Sequence, residues 1–101
     1  MYIVTAKRWI AELQEEGKLK ELDSDAIEKL ANDYARRLEE IFTEEVTRQM
    51  ENYGKAAEFE RMLLYDGQYM NKYLNQTIPA YPAFRLEIFN KARKIILGDA
   101  E

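Results

Sequence analysis

Apolar residues recur at helical spacing from the first residues of the chain. Between Tyr2 and Glu16 they follow one another in steps of three and four, which predicts an amphipathic helix over residues 2–16. They are Ile3, Ala6, Trp9, Ile10 and Leu13. Gly17 stands where a helix ends, because glycine takes a left-handed conformation without strain. We therefore expect the first helix to end just before Gly17.

The longest predicted helix begins at the polar run 23–25 and ends near Gly54. The candidate caps are Asp23, Ser24 and Asp25. Asp25 also stands three residues before Glu28, which is the spacing of a capping box. One face of this helix carries a sustained apolar series with Phe42 beside it. The series is Ile27, Leu30, Tyr34, Leu38, Ile41, Val46, Met50 and Tyr53.

This second helix is long for a chain of this size. At 1.5 Å per residue, about 28 residues form a rod of about 42 Å. A globule of about 100 residues has a radius of gyration of about 13 Å, so the rod is longer than such a globule is wide. Two shorter helices laid end to end can cover it, or a second copy of the rod. We expect Leu38 and Ile41 to belong to the core.

A third helical region is predicted over residues 55–76, with a break at Asp66-Gly67. The sequence leaves open whether this break separates two helices or only kinks one. Apolar residues lie on both sides of it. They are Phe59, Met62 and Leu63 before the break, and Tyr69, Met70, Tyr73 and Leu74 after it.

The segment 77–82 cannot be helical throughout, because a proline disfavours helix at the residue before it. Pro82 suits the first turn of a last helix, which we expect to reach Leu97 and to stop at Gly98. Its predicted buried residues are Leu86, Phe89, either Ala92 or the aliphatic stem of Arg93, and Ile96, with Ile88 and Ile95 flanking them. The predicted fold is all-α: one domain over residues 1–101, a compact bundle of four to five helices built on one long central amphipathic helix.

Composition narrows the chemistry as well as the fold. Apolar residues make up 47% of the chain and charged residues 34%, while Gly (4) and Pro (2) are too scarce for an all-β domain of this length. Cysteine and histidine are both absent from the sequence, and Ser24 is the single serine. This removes thiol nucleophiles, the commonest general base and the imidazole ligand of many metal sites. We expect no enzymatic activity, no cofactor and no metal.

The order of features from Asp25 to Leu97 consists of a long capped helix, a shorter helix with an acidic end, a Leu-rich turn and an Ile-Pro elbow before a last amphipathic helix. In this order the chain resembles a family of short bacterial proteins catalogued only as a domain of unknown function. The residues that carry the resemblance are Leu38, Phe59, Leu63, Tyr73-Leu74, Ile78-Pro79 and Phe89. The resemblance covers about three quarters of the chain, implies an all-helical fold, and supplies no catalytic or binding residues.

Acidic residues concentrate in the middle of the long helix. They are Glu39, Glu40, Glu44 and Glu45. A di-iron or di-manganese bundle site requires Glu-x-x-His pairs, which a chain without histidine cannot supply. We interpret these glutamates as a solvated face paired with neighbours such as Arg48. An alternative is that they imitate phosphates, as in a small acidic regulator or inhibitor of a nucleic-acid-handling protein.

Charge and hydropathy restrict the other partners. Basic residues occur in three small groups, but the net charge of −4 opposes the phosphate attraction on which nucleic-acid binding depends. The groups are Lys7-Arg8, Arg36-Arg37 and Lys91-Arg93-Lys94. No run approaches the ~20 apolar residues of a membrane span, and no signal-peptide pattern follows Met1. We expect a cytoplasmic protein without direct nucleic-acid or membrane binding.

Tyrosine is the most unusual feature of the composition, with seven copies. Tyr65, Tyr69 and Tyr73 recur every four residues, with Met62 before them, and would line one side of a continuous helix. Tyrosine and methionine are enriched at protein interfaces. The preferred interpretation is a non-catalytic protein-protein interaction module, self-associating or accessory to a larger protein, with these four residues as its contact.

Overall fold

The computed structural model describes residues 2–65 and 67–98, apart from the side chain of Tyr65. Within these residues the chain forms five α-helices, one short 3₁₀ turn and no strand. In chain order they are α1 (Tyr2–Glu15), α2 (Ser24–Asn52), α3 (Ala56–Tyr65), the 3₁₀ turn (Gly67–Tyr69), α4 (Met70–Thr77) and α5 (Tyr81–Gly98). The prediction of an all-α bundle built on one long central helix is confirmed.

The ends of the first two helices follow from local chemistry. Gly17 has a φ of 72°, and the amide of Lys18 donates to the Leu13 carbonyl over 3.0 Å, so α1 ends in a left-handed glycine as predicted. Of the three candidate caps of α2, Asp23 takes the position. Its carboxylate accepts a hydrogen bond of 2.8 Å from the amide of Ala26.

The long helix α2 buries a stripe that winds around it. Its buried residues are Ala31, Tyr34, Leu38, Phe42, Val46 and Met50. Four helical residues turn through about 400°, so each four-residue step moves the stripe about 40° around the axis. The prediction for Leu38 is confirmed. Ile41, which was also expected in the core, is only half-buried at its edge. The buried stripe advances in four-residue steps and therefore passes through Phe42 instead of Ile41.

Helices α1 and α2 are antiparallel. The ring of Tyr2 lies 6.0 Å from that of Phe42 in the middle of α2, while Lys7 pairs with Glu28 near its start, with 2.8 Å between Nζ and Oε1. The start of α1 therefore lies beside the middle of α2, and later residues of α1 lie nearer the start of α2. Phe89 of α5 completes an aromatic cluster, 5.8 Å from the Phe42 ring and 6.5 Å from the Tyr2 ring. These three rings join α1, α2 and α5.

Three helices pack against the rod. Helices α1 and α5 make the more extensive contacts with α2, and α3, which follows α2 in the chain, also packs against it. The long helix is therefore covered by helices of its own chain, but by three of them and not by two laid end to end. The fold measures 45 × 23 × 18 Å, and its radius of gyration of 15.3 Å exceeds the ~13 Å of a spherical domain because α2 extends it.

The predicted inner face of α5 was partly wrong. Leu86 is 61% exposed, whereas Ile88 and Leu97 are buried. Leu86 lies two residues before Ile88, which is about 200° around the helix, so both cannot face the core. Apolar residues occur on both sides of α5, and the sequence pattern alone did not distinguish the two sides.

The third helical region is two helices. Helix α3 ends at Tyr65 and α4 begins at Met70, with the 3₁₀ turn before α4. Asp66, part of the predicted break, lies outside the described residues. The elbow before α5 places Ile78 in the core and Ala80 at a φ of 53°, and Pro82 stands in the first turn of α5 as predicted.

Candidate interaction surface

Large apolar side chains are exposed where α3 turns towards α4. Leu63 is 43% exposed, Leu64 is 76% exposed and Tyr69 is 56% exposed. The 3₁₀ turn that holds Tyr69 contacts α3, so this tyrosine lies near the end of that helix. We call Leu63, Leu64 and Tyr69 the corner surface. Exposed large apolar side chains that lie near one another are typical of interaction sites.

The four residues predicted from the tyrosine pattern have different environments. Tyr69 is exposed, while Met62 and Tyr73 are half-buried and Tyr73 packs against the core. The side chain of Tyr65 lies outside the described residues. A four-residue spacing aligns side chains on one side only within a continuous helix, and the 3₁₀ turn interrupts that helix between Tyr65 and Tyr73.

Leu63 and Leu64 were not predicted as contact residues, and Leu63 was grouped with the apolar residues of the third region. The signal was present in the run Met62-Leu63-Leu64-Tyr65. Four consecutive apolar residues spread over about 300° of the helix circumference, so a helix packed on one side must expose some of them. Phe59 is the residue of α3 that is fully buried, which fixes the side of the helix that faces the core.

Tyr73 is held at the margin of the core. Its hydroxyl oxygen is buried, and no group in the described part of the chain forms a hydrogen bond of acceptable geometry with it. Burial raises the pKa of this hydroxyl, and the nearby negative charge of Glu58 raises it further. The hydroxyl therefore stays protonated at neutral pH and adds no charge to the surface.

One of the four predicted glutamates of α2 is set apart from the other three. Glu39, Glu40 and Glu44 are exposed, but Glu45 is only 20% exposed. The Glu45 carboxylate accepts from Lys91 over 2.6 Å and from Arg48 over 3.2 Å. The hydrogen bond from Lys91 lowers the pKa of Glu45. This residue stabilises the contact between α2 and α5, which leaves three of the four glutamates for any phosphate-like contact.

Two tyrosines near the aromatic cluster are poor acid–base groups. Burial, followed by the charge of Glu39, raises the pKa of Tyr2 to about 12. Burial also raises the pKa of Tyr81. The guanidinium of Arg85 lies 4.2 Å from the centroid of the Phe89 ring, which is a cation–π contact within α5. Phenols with raised pKa values do not serve as general bases at neutral pH.

A cleft of about 340 Å³ lies between the ends of α1 and α5. It is lined by Leu13, Glu16, Lys18, Arg93, Lys94, Leu97 and Gly98. Arg93 is bound to Glu12 of α1, with 2.8 Å between Nη2 and Oε2. No group of three or more Asp or Glu residues in the described ranges is arranged to hold a metal ion. The cleft therefore consists of a structural ion pair and the surrounding helix ends.

Comparisons of the chain with models of known protein families, with curated proteins and with solved structures gave no match. The resemblance to a bacterial family of unknown function stays a prediction. Among the described helices, none combines the length and apolar character needed to cross a bilayer.

Proposed function

We propose that this protein is a non-catalytic interaction module that binds a protein partner through the corner surface. The observation that carries the proposal is the exposure of Leu63, Leu64 and Tyr69 together at one corner. Covering apolar surface gains about 25 cal/mol per Å² removed from water, so such a corner is stabilised when a partner covers it. The absence of histidine and cysteine from the sequence supports a non-catalytic role.

The corner surface rests on anchored elements. Phe59 fixes α3 in the core, and Leu74 fixes α4. The leucines therefore project from a helix whose position is set by packing and not by the partner. A preformed surface loses less conformational entropy on binding than a segment that must fold first.

Affinity capture from the host's lysate with nuclease tests this function. The tagged wild type is compared with Leu64→Ser and with Val4→Ser, a matched control, because Val4 is 69% exposed on α1, which is not part of the corner surface. We expect a stoichiometric protein, or further copies of the chain, to be retained by the wild type and Val4→Ser and lost by Leu64→Ser. Equal retention by all three proteins would contradict the role of the corner surface.

A further inference from the structure

Helix α3 has an outer face with a simple chemical pattern. Ala57, Glu60, Arg61 and Leu64 are all exposed. Their spacing of three, four and seven residues places them within about 100° of the helix circumference. Phe59 on the opposite side is buried. We call these four residues the outer face of α3, and it shares Leu64 with the corner surface.

The charges of this face have no partner among the residues that the structure describes. Within the described residues neither Glu60 nor Arg61 takes part in an ion pair or a side-chain hydrogen bond. The charges of α2 differ, since Arg48 pairs with Glu44 over 3.4 Å. Glu60 and Arg61 therefore flank the line from Ala57 to Leu64 as one free anion and one free cation.

We propose that this face binds the same face of a second copy of the chain, with the two α3 helices side by side and in the same direction. The proposal rests on the proposed function and names its partner. A two-fold axis parallel to the helices brings Leu64 against Leu64 and Ala57 against Ala57. The same axis brings Glu60 of each copy opposite Arg61 of the other, so two ion pairs form. The small side chain of Ala57 lets the helices approach closely.

The charge pattern selects this direction. In a parallel pair, the left side of one helix face meets the right side of the other, so the anion meets the cation. In an antiparallel pair, like sides meet, and Glu60 would face Glu60 while Arg61 faced Arg61. Like charges in contact disfavour that arrangement. The face is therefore self-complementary in one relative direction.

Sedimentation velocity of the purified full chain over a concentration series tests the proposal. The contact is small, so we expect a monomer–dimer equilibrium with a dissociation constant of about 100 µM. Glu60→Arg alone and Arg61→Glu alone each place like charges across both contacts and weaken dimerisation about tenfold or more. An equimolar mixture of the two variants sets two arginines on one copy against two glutamates on the other, and it regains the wild-type affinity as a heterodimer.

The double variant Glu60→Arg/Arg61→Glu controls for the loss of either side chain. It exchanges the charges within one chain, so a parallel pair keeps both ion pairs and the wild-type affinity. The single variants test the direction, because an antiparallel pair places like charges in contact in the wild type as well as in each single variant and would not be weakened. Dimerisation that survives either single variant would overturn the proposal, and so would a double variant as weak as the singles. Circular dichroism of each variant checks that these exposed substitutions leave the helices intact.

A wild-type chain that stays monomeric up to about 1 mM would also overturn the proposal. That result would leave the proposed function standing if the capture experiment retained another protein and Leu64→Ser released it. If Leu64→Ser changed neither the captured proteins nor the sedimentation behaviour, the proposed function itself would fail. The two experiments therefore separate the identity of the partner from the role of the corner surface.

Discussion

The helices that pack along the first part of α2 and the helix α3 that follows it differ in how many of their side chains find partners within the chain. Along its first half and middle, Lys7 pairs with Glu28, and the Tyr2, Phe42 and Phe89 rings pack together. At its C-terminal end, the short helix α3 buries Phe59, and the charges of its outer face have no partner among the described residues. The aromatic rings and the Lys7–Glu28 pair are satisfied within one chain, whereas α3 presents charged groups, together with Leu64, that another molecule can cover.

Helix length explains part of this difference. Helix α1 has 14 residues and α5 has 18, so each presents several turns to α2. Helices α3 and α4 have 10 and 8 residues, and each reaches the core through few side chains. A helix that packs on one side exposes the apolar residues of its other side, and in α3 these include the consecutive Leu63 and Leu64. The same constraint that limits packing at the corner produces the exposed surface.

The largest expected effect comes from replacing a buried leucine by alanine and comparing it with alanine substitutions in the corner surface. Leu38→Ala should destabilise the protein by about 2–5 kcal/mol, because Leu38 is fully buried and its truncation leaves a cavity. Leu64→Ala and Tyr69→Ala should each change the free energy of unfolding by about 0.5 kcal/mol or less, because both side chains are exposed. Urea denaturation measures all three. If Tyr69→Ala lowers the stability as much as Leu38→Ala does, Tyr69 belongs to the core and the corner surface must be redrawn.

The sequence predicted most of the first region and less of the second. The helix ends at Gly17 and near Gly54, and the core position of Leu38, follow from residue spacing and backbone chemistry that are local in the chain. The exposed leucines of α3 depend on which side of a short helix meets α2, and this is set by tertiary contacts. Periodicity placed the tyrosine stripe on a continuous helix, and the 3₁₀ turn at Gly67–Tyr69 interrupts it.

The same limit accounts for Leu86. Apolar residues stand on both sides of α5, so its pattern fits two orientations, and the contact of Phe89 with Phe42 decides between them. The pairing of Glu45 with Lys91, 46 residues away in sequence, likewise lies beyond any local pattern. Spacing predicts which residues share a helix face, whereas the neighbouring helices determine which face is covered.

Neutralising a carboxylate that forms an ion pair should lower the stability of the protein by less than truncating Leu38 does. Glu45→Gln should destabilise the protein by up to about 1 kcal/mol at pH 7, because it removes the ion pair with Lys91. The pKa of Glu45 is lowered in the folded state, so its stabilising contribution is present above the pKa of the unfolded chain and is lost as the pH falls through the folded-state pKa. The difference from wild type should therefore shrink in acid. Urea midpoints at a series of pH values measure it.

Glu60→Gln is the matched control for that comparison, because Glu60 has no ion pair among the described residues. At concentrations where the chain is monomeric, this variant should match the wild-type midpoint at every pH. A pH-dependent loss as large as that of Glu45→Gln would mean that Glu60 is already satisfied within its own chain. The outer face of α3 would then lack one of the two charges on which self-recognition depends.

The smallest expected effect concerns Tyr73, which lies between the two kinds of environment. Its hydroxyl is buried without a hydrogen-bond partner in the described part of the chain, so the folded state does not replace the bond that water supplies to the unfolded chain. Tyr73→Phe removes that group and keeps the ring, and it should stabilise the protein by a few tenths of a kcal/mol up to about 1 kcal/mol. Thermal unfolding at low protein concentration measures the change. A loss of stability would instead show that the hydroxyl is hydrogen-bonded in solution, for example by Glu58 or Thr77, and that Tyr73 is as well packed and bonded as the aromatic cluster at the middle of α2.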